Sequence, residues 1–435
     1  IQNFNFGIQR QLASNLTLDV AYVGSKGTKL YGGVQLNTVD IFKNQFLQAF
    51  NTTRAGGDAP LFDAMLKGLN IPGAGVVNGT TLTGSAALRT FTSTRTFIAN
   101  GSIGQLANFL NRSTSVTGKG GGFVRNSGLF PENFFVLNPQ FQTVTLNSNP
   151  GSSTYHSLQL QVTKRLSKGF TNSTSYVWSR ALGENDGDAA IDYRDPNNQR
   201  LNKAVLGFHR THAFITNGTY ELPFGPGRPL LSNAPGWVQR LVERWQFGGI
   251  ANVTSGQPFS VTASVATIIP ATSAASNVST PNIVGDFPKN LGQVTKLSNG
   301  VTYFPGIQQI ADPARGSVTT SNGLQGTFSN KAIADAQGNL LLVNPAPGQI
   351  GNMGLKWLEG PGLVRFDADL IKRVRITETK EFEFRLDAIN ILNHPVFGTP
   401  VPTGMSGADI NAANFGRITT STGERSFVVN ARLNF

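Results

Sequence analysis

The run Glu184-Asn185-Asp186-Gly187-Asp188, with Asp192 and Asp195 beyond it, places several hard oxygen donors around a flexible glycine. Calcium takes such donors, so Glu184, Asp186 and Asp188 form a calcium candidate. The run lacks the spacing and the terminal Glu of an EF-hand, and carboxylates on a long loop are as a rule simply solvated. No metal is expected, with calcium at those three residues kept as the alternative. His209 and His212 are three apart, a spacing that on a strand turns the rings to opposite faces, where they cannot share one ion. With 4 His and no Cys, zinc, haem and thiol chemistry have no ligand set. Lys119-Gly120-Gly121-Gly122 is glycine-rich without the spacing of a phosphate-binding loop, and no nucleophile elbow stands out. Glu381, Glu383 and Asp387 share a face, but Arg385 sits among them. Acid/base chemistry needs two carboxylates on opposite sides of one bond, whereas this alternation describes a ladder of ion pairs. No catalytic residue, no cofactor and no enzymatic activity are expected.

The elements that carry these residues are strands. Leu16, Leu18, Val20 and Tyr22 alternate with Thr17 and Asp19, and Leu158, Leu160 and Val162 with Gln159, Gln161 and Thr163. In 381–388, charged and apolar residues alternate without a break. Period two puts successive side chains on opposite faces, and no helical stripe competes with it. The segments 154–166, 169–181, 209–222, 364–375 and 380–392 exceed the five or six residues of an ordinary strand and suit the 9 to 11 that cross a tilted bilayer. Connections are short at 11–14, 167–168 and 376–379, long at 25–152, 182–208, 256–363 and 393–423, and intermediate at 223–243, where Pro and Gly mark an extended turn. Short turns on one side and long loops on the other describe an all-β, antiparallel transmembrane β-barrel with long extracellular loops. Nine strands result, an odd count that cannot close a bacterial barrel. A further hairpin at 258–263 and 301–304 would leave the parity unchanged.

Composition removes other classes. Lys+Arg 36 against Asp+Glu 24 gives a net charge of +12, but the cations are scattered and the aromatics follow the apolar face, so no nucleic-acid stripe forms. Lipopolysaccharide outside, or an anionic solute in the lumen, is the more natural partner. Absence of Cys removes a disulfide scaffold, 39% hydrophobic content removes disorder, and no run of about 18 apolar residues marks a membrane helix. The chain opens at Ile1 without a targeting segment, and residues 1–435 are read as one partial barrel domain, a fragment. Trp178, Tyr176 and Tyr220 lie near strand ends, where membrane-interface rings and core packing are equally compatible.

Several segments resemble the Oar-like group of TonB-dependent outer-membrane transporters, whose members carry an N-terminal carboxypeptidase-regulatory-like domain. Tyr155-His156-Ser157-Leu158-Gln159-Leu160 with Lys164-Arg165 looks like the family's hairpin string, and Tyr176-Val177-Trp178-Ser179-Arg180-Ala181 like the strand after it. Phe208-His209-Arg210-Thr211-His212-Ala213-Phe214 resembles a strand entry in which His209 stands where Asp is usual. Tyr220-Glu221-Leu222-Pro223-Phe224-Gly225, the run 384–395 and Phe415-Gly416-Arg417-Ile418-Thr419 complete the set. The resemblance implies the C-terminal portion of a 22-stranded barrel in the bacterial outer membrane, whose plug and N-terminus are absent here. It implies uptake of an unidentified small molecule, energised by the inner-membrane TonB complex. By similarity to barrels that end on Phe, Phe427, Val429, Leu433 and Phe435 are expected to be the signal for the outer-membrane assembly machinery. An adhesive or structural barrel and a secreted carbohydrate-binding β-sandwich are the alternatives.

Overall fold

The structure, a computed structural model, describes residues 1–118, 122–187, 190, 191, 193–269, 279–287, 292–298, 300–377, 379–399 and 407–435. Asp188, Asp192 and the run 119–121 singled out in the sequence lie outside them. Among the described residues, nine long strands form one antiparallel sheet in chain order: β1 (Gln2–Ala13), β2 (Leu16–Gln35), β3 (Thr145–Ser167), β4 (Phe170–Gly183), β5 (His212–Glu221), β6 (Trp245–Thr254), β7 (Leu363–Arg375), β8 (Glu381–Ile389) and β9 (Ser426–Asn434). Two short strands, Ala190–Ile191 and Ala204–Val205, join beside β2 and β4. β1 and β9 form the two edges of the path. The short turns hold as expected. Between β3 and β4, Lys168 and Gly169 both adopt positive φ, 52° and 80°, the two-residue hairpin whose twist matches that of the strands it joins.

Register carries the alternation across the whole sheet. Ile8 faces Val20, Val20 faces Leu160, Leu160 faces Tyr176, Tyr176 faces Phe214, and Phe214 faces Val253, which faces Val364. Farther along, Lys372 faces Phe384, and Phe384 faces Ala431. The apolar members therefore gather on one face, with Phe382, Phe384 and Leu386 among them as the pattern predicts. β4 departs from the rule: Asn172 and Thr174 also fall on this face, where both bond the Thr216 hydroxyl at 3.0 and 2.7 Å, satisfying one another.

The long connections depart most from expectation. β2 and β3 run on past their neighbours as a ribbon to Gln35 and Thr145, so the first long loop begins about ten residues later than the sequence placed it. That loop carries five helices, α1 (Phe46–Ala55), α2 (Pro60–Leu66), α3 (Gly84–Thr90), α4 (Thr92–Asn100) and α5 (Ile103–Arg112). They close on a core in which Phe46, Phe50, Phe62, Met65, Leu88 and Leu106 are fully buried. Helical stripes thus do compete with the strand pattern: Ile103, Leu106, Ala107 and Leu110 follow the spacing that lines one side of a helix, and all four are buried. α2 opens on Pro60, a residue suited to the first helical position. The proposed hairpin of 258–263 with 301–304 does not form. Pro258–Thr262 pairs with Leu358–Glu359 and Gly407–Asp409, and Gly300–Thr302 pairs with Thr295–Leu297 and Arg417–Ile418, so the nine-strand path gains no member. These pieces surround a second core of Phe259, Val261, Phe304, Leu342, Met353 and Ile410. The intermediate connection contains no strand but a short helix, α6 (Gly236–Val242).

Candidate functional site

Three surfaces bear on function: the apolar face, the polar face behind it, and the rim where the loops meet the sheet. The apolar face is uncovered over much of its extent, and its aromatic residues collect near the strand ends. At the long-loop end Phe4 and His156 each stack on Tyr22, the three centroids 6.2–6.3 Å apart, and the Tyr22 hydroxyl lies 2.7 Å from His156 Nδ1. Gly24 makes this possible, because a Cβ there would overlap the Phe4 ring. Tyr176 and His212 repeat the arrangement at 2.8 Å, beside a Trp178 that is 54% exposed. At the short-turn end Phe170 meets Tyr220 edge-on at 6.3 Å. Rings that are exposed in two rows at the ends of an apolar band favour the interface reading of Trp178 and Tyr220 over core packing, whereas Tyr176 is half-buried one row farther in and reaches the rim through the hydroxyl that bonds His212.

The polar face carries the ladder. Arg373 Nε donates to Glu383 at 2.8 Å and Nη1 to Gln246 at 3.1 Å, Arg244 pairs with Glu381 at 2.5 Å, and Arg385 with Asp387 at 2.7 Å. Each exposed pair contributes at most about 1 kcal/mol, so the ladder sets the polarity of the face more than its stability.

At the rim, a cavity of about 500 Å³ opens between residues 156–158 of β3, 178–180 of β4 and the segment 356–359. Glu359 accepts from the Thr211 hydroxyl at 3.1 Å and from the Gly256 amide at 3.2 Å. Tyr303 donates to the Glu359 carbonyl at 2.6 Å, and burial pushes its hydroxyl up to about 12. The calcium candidates point to different partners. Glu184 accepts from the Ser152 amide and hydroxyl at 2.6 and 2.7 Å, while Asp186 holds Lys356 at 2.6 Å and the Gly207 amide at 2.7 Å. Among the described residues no three acidic or His side chains converge as a metal site. His209 and His212 turn apart: His212 bonds Tyr176 on the apolar face, and His209 is buried beside Thr211. Sequence reading missed Thr211, Lys356 and Glu359 because their partners lie 148 and 170 residues away in the chain.

Burial holds His209 below the ordinary imidazole range, Arg180 and Arg210 act the same way, and Glu359 opposes them. A group that binds its proton less well folded than unfolded makes the fold weaken as pH falls through its unfolded value of about 6.5. Melting of the full-length protein should therefore occur at lower temperature at about pH 5.5 than at about 7.5, with a smaller difference in His209→Gln. An equal difference in both proteins would remove His209 as a cause.

No helix among the described residues is long and apolar enough to cross a membrane, whereas long antiparallel strands with one uncovered apolar face are those that cross one as members of a closed barrel. That is the architecture of a protein crossing the bacterial outer membrane by strands. The chain belongs to the outer membrane beta barrel domain family, whose model matches residues 1–429. No curated protein matches it in sequence. Among solved structures it is similar to the outer membrane transporter YddB from Escherichia coli, at 8% identity over 99% of this chain and 32% of that one, with a TM-score of 0.37. FpvA of P. aeruginosa, solved with bound pyoverdine, gives 7% identity over 100% and 27%, with 0.30. The ferric citrate transporter FecA gives 10% over 99% and 38%, with 0.29. The chain thus spans about a third of the length of these structures.

Proposed function

We propose that the chain is the barrel portion of an Oar-like, TonB-dependent active transporter that takes up a small solute and performs no covalent chemistry. The placement of the family-like strings supports this reading. Residues 155–165 run along β3, 176–181 along β4, 208–214 lead into β5, 220–225 leave it, and 384–395 run out of β8. Their order along the chain is that of the meander. On this reading the nine strands are part of a 22-stranded barrel closed by segments outside this chain. Those segments also supply the plug and the box that the TonB complex pulls. In such barrels the short turns face the periplasm, so the capped end lies outside and the polar face lines the lumen. A secreted β-sandwich is set aside, because the apolar face of the sheet is not packed on a second sheet and the family resides in the outer membrane. The folded cap on the first loop favours the adhesive barrel as a second reading. Titrating the full-length protein with the periplasmic domain of TonB separates the two. Binding that is lost on removal of the N-terminal box is expected, and no binding would overturn the transporter.

The assembly signal is proposed on the same footing. Among the described residues β9 pairs only with β8, and it presents Phe427, Val429 and Leu433 on the apolar face, all exposed, with Phe435 beyond them. An edge strand with one apolar face is a template for strand addition by an assembly factor. Deleting Phe435 from the full-length protein should lower its outer-membrane yield several-fold. Unchanged yield would leave Phe435 only a packing role.

A further inference from the structure

The connection between β5 and β6 is out of proportion to the others at its end of the sheet. The remaining connections there are residues 14–15, 168–169 and 376–380, whereas this one runs from 222 to 244 and contains α6. None of the residues of α6 is buried. Trp237 and Leu241, four apart and so on one side of the helix, are 74% and 62% exposed, with Arg240 exposed beside them. In water that side would be a liability.

The C-terminal end of α6 is fixed against the apolar face of the sheet. Trp245 Nε1 donates to the Leu241 carbonyl at 2.9 Å. Lys372 Nζ donates to the Arg240 carbonyl at 2.8 Å and also to the Glu243 carbonyl, and lies 5.6 Å from the Trp245 ring centre. Trp245, Lys372 and Phe384 are cross-strand neighbours in a single row of the apolar face, at its short-turn end. A lysine on a lipid-facing strand surface is unfavourable, and the carbonyls at a helix C-terminus are its natural partners. The helix therefore covers Lys372 and continues the apolar face sideways.

We propose that residues 222–244 form an interfacial foot, with α6 lying in the headgroup layer of the periplasmic leaflet and Trp237 and Leu241 inserted among the phospholipid chains. The occupant follows from continuity. The exposed side adjoins the face that the outer membrane covers, the short-turn end is the periplasmic one, and Trp with a neighbouring Arg is the pairing that settles at a headgroup boundary. The proposal rests on membrane residence alone and stands whether or not the protein transports.

The chain contains no Cys, so single cysteines can be placed at Trp237, Leu241 and Ser232 of the full-length protein and spin-labelled. The labelled proteins would be reconstituted in phosphatidylethanolamine/phosphatidylglycerol bilayers, with heat-dependent gel mobility reporting that each has folded. Labels on Trp237→Cys and Leu241→Cys should relax several-fold more with oxygen than with a water-soluble nickel complex, and the label on Ser232→Cys the reverse. Nickel access at 237 and 241 equal to that at 232 would overturn the foot. So would dipolar broadening between copies at 237 and 241, which would make this surface a contact between two chains.

Discussion

Arginine in place of Leu160 is expected to destabilise the folded barrel by ~2–4 kcal/mol, and arginine at the adjoining Gln161 to leave its stability nearly unchanged. Leu160 lies in the row from Ile8 through Val20 and Tyr176 to Phe214, between the turn at 168–169 and the aromatic rim of Tyr22 and His156. A guanidinium there meets hydrocarbon on its open side and has no carboxylate across the strand to pair with. Gln161 points the other way, directly across from Asp19 and Ser175, where an arginine finds a carboxylate and water. Depth then explains a weaker effect at Phe384. That residue shares its row with Lys372 and Trp245 at the short-turn rim, so Phe384→Arg should cost about 0–1 kcal/mol, well below the value for a midplane residue. Arg385→Ala removes one exposed pair with Asp387 and should cost no more than that. Equilibrium unfolding of the full-length protein in lipid vesicles measures all four. Equal costs at 160 and 161 would refute the assignment of faces.

These strands were legible because alternation is a local signal. Whether Leu158 and Leu160 lie on one face is settled by the identity of Gln159 between them, so the nine strands and the alternating connection lengths could be read without knowing which strands pair. The loops were not legible in this way. Their Gly, Ser, Thr and Asn content describes chain that is polar on average, yet Phe46, Ala49 and Phe50 recur at helical spacing within it and are all buried. The divergence of Glu184 and Asp186 was illegible for a different reason. Glu184 and Asp186 look like neighbours in sequence, but the chain bends at both as it leaves β4, which sends one to Ser152 on β3 and the other to Lys356 of a distant loop. A ligand cluster inferred from spacing presumes that its members converge, and a strand end makes them diverge.

Phe46→Ala should cost the cap about 3–5 kcal/mol and leave the sheet untouched. The ring is fully buried, meeting Phe62 edge-on at 5.7 Å and Phe135 at 4.7 Å. Its loss leaves a cavity at the point where α1, α2 and the segment before β3 meet. The cap is also tied to the third long loop. Arg54 donates to the Ala99 carbonyl at 3.2 Å and to Ser317 at 2.8 Å, Arg89 reaches Asn322 at 3.0 Å, and Leu324 enters the same core. Burial lowers both guanidinium groups from their ordinary value, the mark of side chains held out of water within the shared core. Two long loops thus form one folded body, in which opening at Phe46 should propagate to 317–324. Hydrogen exchange on the full-length protein in bilayers tests this directly. In the variant, amides of 46–110 and 317–324 should lose protection together while β3 and β4 keep theirs. Exchange that is already fast in the parent protein across 46–110 would show the loop to be an unpacked segment, and loss spread evenly over the sheet would show that cap and sheet unfold as one.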